Sequence, residues 1–89
     1  MTYQNQCLSI LRKPKVIERT GFSRSTLHAR INQGLFVPPI SLGERAVGWP
    51  THEVSQLISA MIAGQTNEEI RELVTRLVHT RNEFSEVKT

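Results

Sequence analysis

One glycine between two short runs of helical periodicity constrains this chain more than any other feature. The stretch Pro14 to Gly34, PKVIERTGFSRSTLHARINQG, predicts two short helices parted by a tight turn at Thr20–Gly21–Phe22. Val16 and Ile17 supply the inward side of the first helix, and Leu27 and Ile31 that of the second. Gly21 stands where the chain must reverse sharply, a position that often needs positive φ, which glycine adopts without steric cost. Ser23 precedes the second run directly, as an N-cap does, and its hydroxyl can take an orphan backbone N–H. Gly34 suits the residue just past that helix's end. Two helices joined by a three- or four-residue turn containing Gly form a helix-turn-helix.

The second helix has a polar side worth reading. With Leu27 and Ile31 inward, Ser25, Ala29 and Asn32 fall on the opposite side and His28 and Gln33 at its edges. Arg24 and Arg30 take the two shoulders. Small residues let a helix sit deep in the DNA major groove, and flanking arginines can reach phosphates. The plainer reading is a solvated helix in a small all-α domain.

Charge distribution bears on that choice. Residues 1–50 hold seven Arg and Lys against two Glu, whereas residues 51–89 hold four against six. The positive excess therefore sits on the helix-turn-helix half, where a polyanion is held by releasing its counterions. Other function classes find little support. The chain has no Asp, its histidines (His28, His52, His79) are scattered, and no Gly-rich phosphate loop is present, so no catalytic role is expected. A single cysteine, Cys7, and no Cys/His cluster at ligand spacing lead to an expectation of no disulfide, no metal and no cofactor. No apolar run approaches the ~20 residues that span a bilayer, and the first residues lack signal-peptide character. A cytoplasmic, membrane-free protein is the expectation.

Along the chain, residues 1–7 are expected to form a loose tail, with Leu8, Ile10 and Leu11 clipping the start of the fold onto the core. After the second helix, Phe36-Val37-Pro38-Pro39 cannot continue a helix. Apolar residues then alternate in two arms, Ile40/Leu42 and Val47/Trp49, around Gly43-Glu44-Arg45-Ala46. This predicts a β-hairpin leaning on the helices through one apolar face, with Trp49 as its core anchor and Arg45 near its tip. Thr51 is expected to N-cap a third helix, with Glu53 in its first turn favourable to the dipole. Val54, Leu57, Ile58, Met61 and Ile62 form its stripe, and Gly64 ends it. Thr66 and Glu69 form a capping box for a fourth helix over Asn67 to Phe84. Ile70, Leu73, Val74, Leu77, Val78 and Phe84 make its stripe, and residues 85–89 are expected to form a tail. That stripe has two solutions, folding back on the third helix or pairing with a second copy. The third helix already owes its own stripe elsewhere, so the reading leans to a homodimer through the C-terminal helix.

The expected fold class is therefore mainly α, a winged helix-turn-helix over residues 8–63 with a small two-stranded hairpin and an additional C-terminal helix over 64–84. LRKPKVIERTGFSRSTLHARINQGLF followed by PPISLGERAVGWP closely resembles the AlpA-type prophage regulators. These are small DNA-binding proteins related to phage excisionases and, more distantly, to the MerR-type DNA-binding domain. The resemblance spans about residues 8–63. It implies double-stranded DNA as partner, with prophage gene regulation or excision beside a phage integrase as the role. It also passes candidacy for DNA contact to Arg24, Ser25, Thr26 and His28, to Arg30, and to Arg45 of the hairpin. Two positions depart from the pattern: Glu18 replaces a small residue, and His28 replaces the tyrosine that many relatives carry. A small terminase-type packaging subunit is the alternative within DNA binding, and a helical protein-interaction module the alternative outside it.

Overall fold

The computed structural model describes residues 8–87, with side chains through Glu83. Seven elements follow in order: β1 (Ile10–Leu11), α1 (Lys13–Thr20), α2 (Arg24–Asn32), β2 (Ile40–Gly43), β3 (Ala46–Pro50), α3 (Thr51–Ile62) and α4 (Asn67–Val87). The tail expected over residues 1–7, with Cys7, and the place of Phe84 in the last stripe lie outside the described residues. The tail expected from residue 85 is helical up to Val87.

The break between the first two helices is built as its residues dictate. Gly21 adopts φ +79° and its N–H returns to the Ile17 carbonyl at 2.9 Å, closing α1. Thr20 reinforces the turn, its hydroxyl donating to Val16 O at 2.8 Å and accepting from Phe22 N at 3.2 Å. Ser23 then caps α2, its Oγ accepting from Thr26 N at 3.1 Å.

The expected hairpin is formed by β2 and β3, and a third strand joins it. The sheet has three antiparallel strands in the order β1-β3-β2, with Ile10 opposite Pro50 and Leu11 opposite Trp49. Ser9 extends the seam, accepting from Thr51 N at 2.8 Å while its hydroxyl meets Thr51 Oγ1 at 2.6 Å. Thr51 is thus the first residue of α3, and Pro50 takes the N-cap position without a side-chain cap. The single expected apolar face of the hairpin is also corrected. Ile40 lies opposite Gly48, and Ser41 opposite Val47. Cross-strand partners share a face, so Ile40 is on the side of Gly48 while Val47 and Trp49 are on the other. Any side chain at Gly48 would collide with Ile10 Cγ2 and sit 3.0 Å from Leu42 Cδ1 and 3.1 Å from Leu11 O. A side chain there therefore requires Ile10 to turn away and β1 to give by a few tenths of an ångström. Period-2 patterning alone cannot say whether two strands present their apolar residues to the same side, because the register decides it.

A single cluster forms the core. Val16, Leu27, Leu35, Phe36, Val37, Trp49, Val54, Leu57 and Ala60 are buried together with Ile70, Val74 and Leu77 of α4. Of the two solutions open to the last stripe, this chain takes the fold-back: Ile70, Val74 and Leu77 are buried inside it, with α4 against α3. Space for α4 exists because the α3 stripe is rotated from its expected position: Ala60 is buried, whereas Ile62 is 81% exposed. The capping box expected at the start of α4 is formed, with Thr66 N donating to Glu69 Oε1 at 2.9 Å and Glu69 N to Thr66 Oγ1 at 3.2 Å.

Trp49 anchors this core, fully buried, with its indole N–H donating to Val37 O at 3.0 Å. Glu53 does something other than face a helix dipole from solvent. It is 1% exposed and receives both arms of Arg81, Nε to Oε2 at 3.0 Å and Nη2 to Oε1 at 2.6 Å. The same Nη2 donates to Pro38 O at 2.9 Å. One guanidinium thus joins α4, the start of α3 and the proline link.

Candidate nucleic-acid interface

The surface of α2 follows from its buried side. Leu27 is fully buried and Ile31 half-buried, which leaves Arg24, Ser25, Thr26, His28, Ala29, Asn32 and Gln33 exposed. The Arg24 guanidinium and the Ser25 hydroxyl have no partner among the described residues. Thr26 is partly engaged in the cap, its Oγ1 accepting from Ser23 Oγ at 2.9 Å.

Arg30 differs from its helical-wheel position. It is half-buried, its Cζ lying 5.1 Å from the centroid of the Phe22 ring and its Nη2 3.9 Å from Met61 Sδ. Phe22 in turn meets Phe36 edge-on, with centroids 6.0 Å apart at 77°. A cation over an aromatic face is held there by the ring quadrupole. Arg30 therefore ties α2 to the turn and to α3, and does not stand out as a free shoulder cation.

Arg45 is at the hairpin tip, exposed and without a partner among the described residues. Its φ is +61°, the one non-glycine residue with positive φ among those described. A left-handed conformation costs an ordinary L-residue on the order of 1–2 kcal/mol. The hairpin thus carries a strained residue whose long cationic side chain points away from the core.

Two cations that the sequence reading passed over complete this surface. Lys13 Nζ lies 3.0 Å from His28 Nε2. Arg12, the N-cap residue of α1, donates from Nε to Val47 O in β3 at 3.1 Å. Arg12 thus touches the hairpin and Lys13 touches α2. The only hint in the sequence was a basic pair before Pro14, and nothing local places it between those two elements.

At the other end of α2, Arg71 of α4 donates from Nε to Gln33 O at 2.9 Å, and its aliphatic stem packs 3.8 Å from where a side chain on Gly34 would start. A cation at a helix C-terminus satisfies a free carbonyl and complements the dipole. Among the described residues no group of three or more His, Cys, Asp or Glu comes together, and no helix is long and apolar enough to cross a membrane.

A helix-turn-helix followed by a β-hairpin whose last strand packs on α1 and α3 is the arrangement of a winged helix-turn-helix protein. Comparison with known proteins then narrows the class. Residues 9–62 match the family described as prophage CP4-57 regulatory protein (AlpA), and the chain belongs to it. It is also 42% identical over 55 residues to the uncharacterized protein ORF88 of Enterobacteria phage P4. That match covers 62% of this chain and 62% of the phage protein's length. No solved structure matches the chain.

Proposed function

We propose that this chain is a sequence-specific double-stranded-DNA-binding regulator of prophage type, acting in the cytoplasm where its DNA resides. In this reading α2 enters the major groove and the hairpin follows the neighbouring backbone. The observation that carries it is a contrast among exposed groups. Arg24 and Arg45 are exposed and have no protein partner among the described residues, while the centre of α2 presents small polar groups. Uncompensated cations around a neutral helical face are what a phosphate backbone and base edges require. Ser25 and His28 are assigned to base edges, Arg24 and Arg45 to phosphates, and Arg30 to holding α2 in place. Family membership favours regulation, either of transcription or of integrase-mediated excision, over a packaging role.

The test is footprinting on the DNA around the protein's own gene and the nearest attachment site, with a scrambled duplex as competitor. Protection of a defined site with a steep inverse dependence on salt supports the reading. Arg24→Ala is expected to weaken all sequences alike and to reduce the salt slope by about one. Ser25→Ala or His28→Ala is expected to change preference among sites, with roughly 1–3 kcal/mol for a good direct contact. No binding to any duplex at low salt overturns the proposal.

A further inference from the structure

We infer that Arg12 and Lys13 form a phosphate clamp between the recognition helix and the wing, gripping the DNA strand that separates the two grooves those elements address. The inference rests on the DNA-binding reading above and adds a site to it. Arg12 and Lys13 are adjacent in sequence yet reach in different directions. Arg12 is hooked by its Nε to Val47 O of β3, and Lys13 by its Nζ to His28 of α2. Neither contact neutralises its charge, since one partner is a carbonyl and the other an imidazole. The carboxylate nearest in sequence, Glu18, is bridged to Lys15 at 3.4 Å instead.

Their position gives the clamp its ligand. A helix seated in one groove and a hairpin reaching toward the next must straddle one sugar–phosphate strand, because a strand is what divides adjacent grooves. The protein surface facing that strand is the seam where α2 and β3 both meet the start of α1. That seam holds Arg12 and Lys13. The hydrogen bonds that tether them also hold two long side chains in place before DNA arrives, which lowers the ordering cost of binding. The Nη atoms of Arg12 have no other partner among the described residues and are available for a phosphate, which a guanidinium can grip through two parallel bonds.

The experiment measures binding of the full chain to a footprinted duplex and to a scrambled one between about 50 and about 200 mM salt. The variants are Arg12→Gln, Lys13→Gln and, as a control cation on α4 away from both elements, Arg76→Gln. Each seam variant is expected to reduce the salt slope by about 0.9, equally on both duplexes, so that its deficit narrows about 3.5-fold across this salt range. Arg76→Gln is expected to leave the slope unchanged, and thermal melting should show all three variants folded. Ethylation of single phosphates adds a readout that a structural role would not move. A modified phosphate that weakens the wild type should no longer weaken a variant carrying both Arg12→Gln and Lys13→Gln. Wild-type slopes in both seam variants, with DNA still bound, overturn the clamp while leaving the DNA-binding reading in place. A wild-type protein that binds no duplex overturns that reading and the clamp together.

Discussion

Helices α2 and α4 both carry arginines, but they use them in opposite ways. On α4, Arg81 is folded inward onto Glu53 and Pro38 O, and Arg71 onto the C-terminal carbonyl of α2. On α2 and the hairpin, Arg24 and Arg45 have no protein partner among the described residues. Composition does not separate these sets. Partnership does: the guanidiniums of Arg71 and Arg81 bond to other elements of the chain, while those of Arg24 and Arg45 keep every donor free among the described residues. Arg30 and Arg76 sharpen the rule by exception. Arg30 sits on the recognition helix yet packs on Phe22 and Met61, and Arg76 sits on α4 yet stays exposed.

If α4 is part of the fold and not an appendage, ending the chain after Gly64 is the most damaging change. It removes Ile70, Val74 and Leu77 from the core and leaves Glu53 buried without Arg81. The truncated chain is expected to show no cooperative thermal transition. A truncated protein that melts cooperatively and binds DNA as the full chain does would erase the distinction between the two helices.

Two single substitutions come next. Trp49→Ala is expected to cost on the order of 3–5 kcal/mol as a large-to-small core change, read by urea denaturation. It also strands the Val37 carbonyl. Arg81→Met is expected to cost about 3–5 kcal/mol, because breaking a buried pair leaves an uncompensated charge. Adding Glu53→Gln should recover a substantial part of that loss. An Arg81→Met protein as stable as wild type would place this arginine with Arg76 among the idle ones.

Arg71→Met probes the weaker link. Its bond to Gln33 O is solvent-exposed, so about 1 kcal/mol or less is expected in denaturation. Its more telling readout is amide hydrogen exchange, which should quicken in the last turn of α2.

The smallest stability effect is expected at the hairpin tip. Arg45→Gly relieves the positive φ but loosens the unfolded chain, and these terms oppose each other within about 1 kcal/mol. DNA affinity should fall nonetheless. Lower affinity at unchanged or higher melting temperature assigns the strained arginine to binding, whereas unchanged affinity leaves its backbone strain without a purpose.

Local chemistry was enough for several parts of this protein. The Gly21 turn, the Ser23 cap and the Thr66–Glu69 capping box each depend on residues within four positions of one another. Backbone geometry and short-range hydrogen bonding decide such features wherever the segment lies. The burial of Trp49 was equally legible, since a large apolar ring in a chain this small has few other places to go. Tertiary structure alone decided what depends on residues far apart. A two-residue β1 has almost no propensity of its own and exists because β3 offers it an edge. The hairpin's apolar residues divide between two faces because register, not alternation, sets which side each one meets. The α4 stripe folds back onto α3, a choice that its own periodicity left open. Glu53 becomes a buried anchor because Arg81, 28 positions away, arrives to neutralise it. The candidate interface divides in the same way. Arg24, Ser25 and His28 followed from helical phase, but Arg12 and Lys13 join them only through the packing of α1 between the recognition helix and the wing.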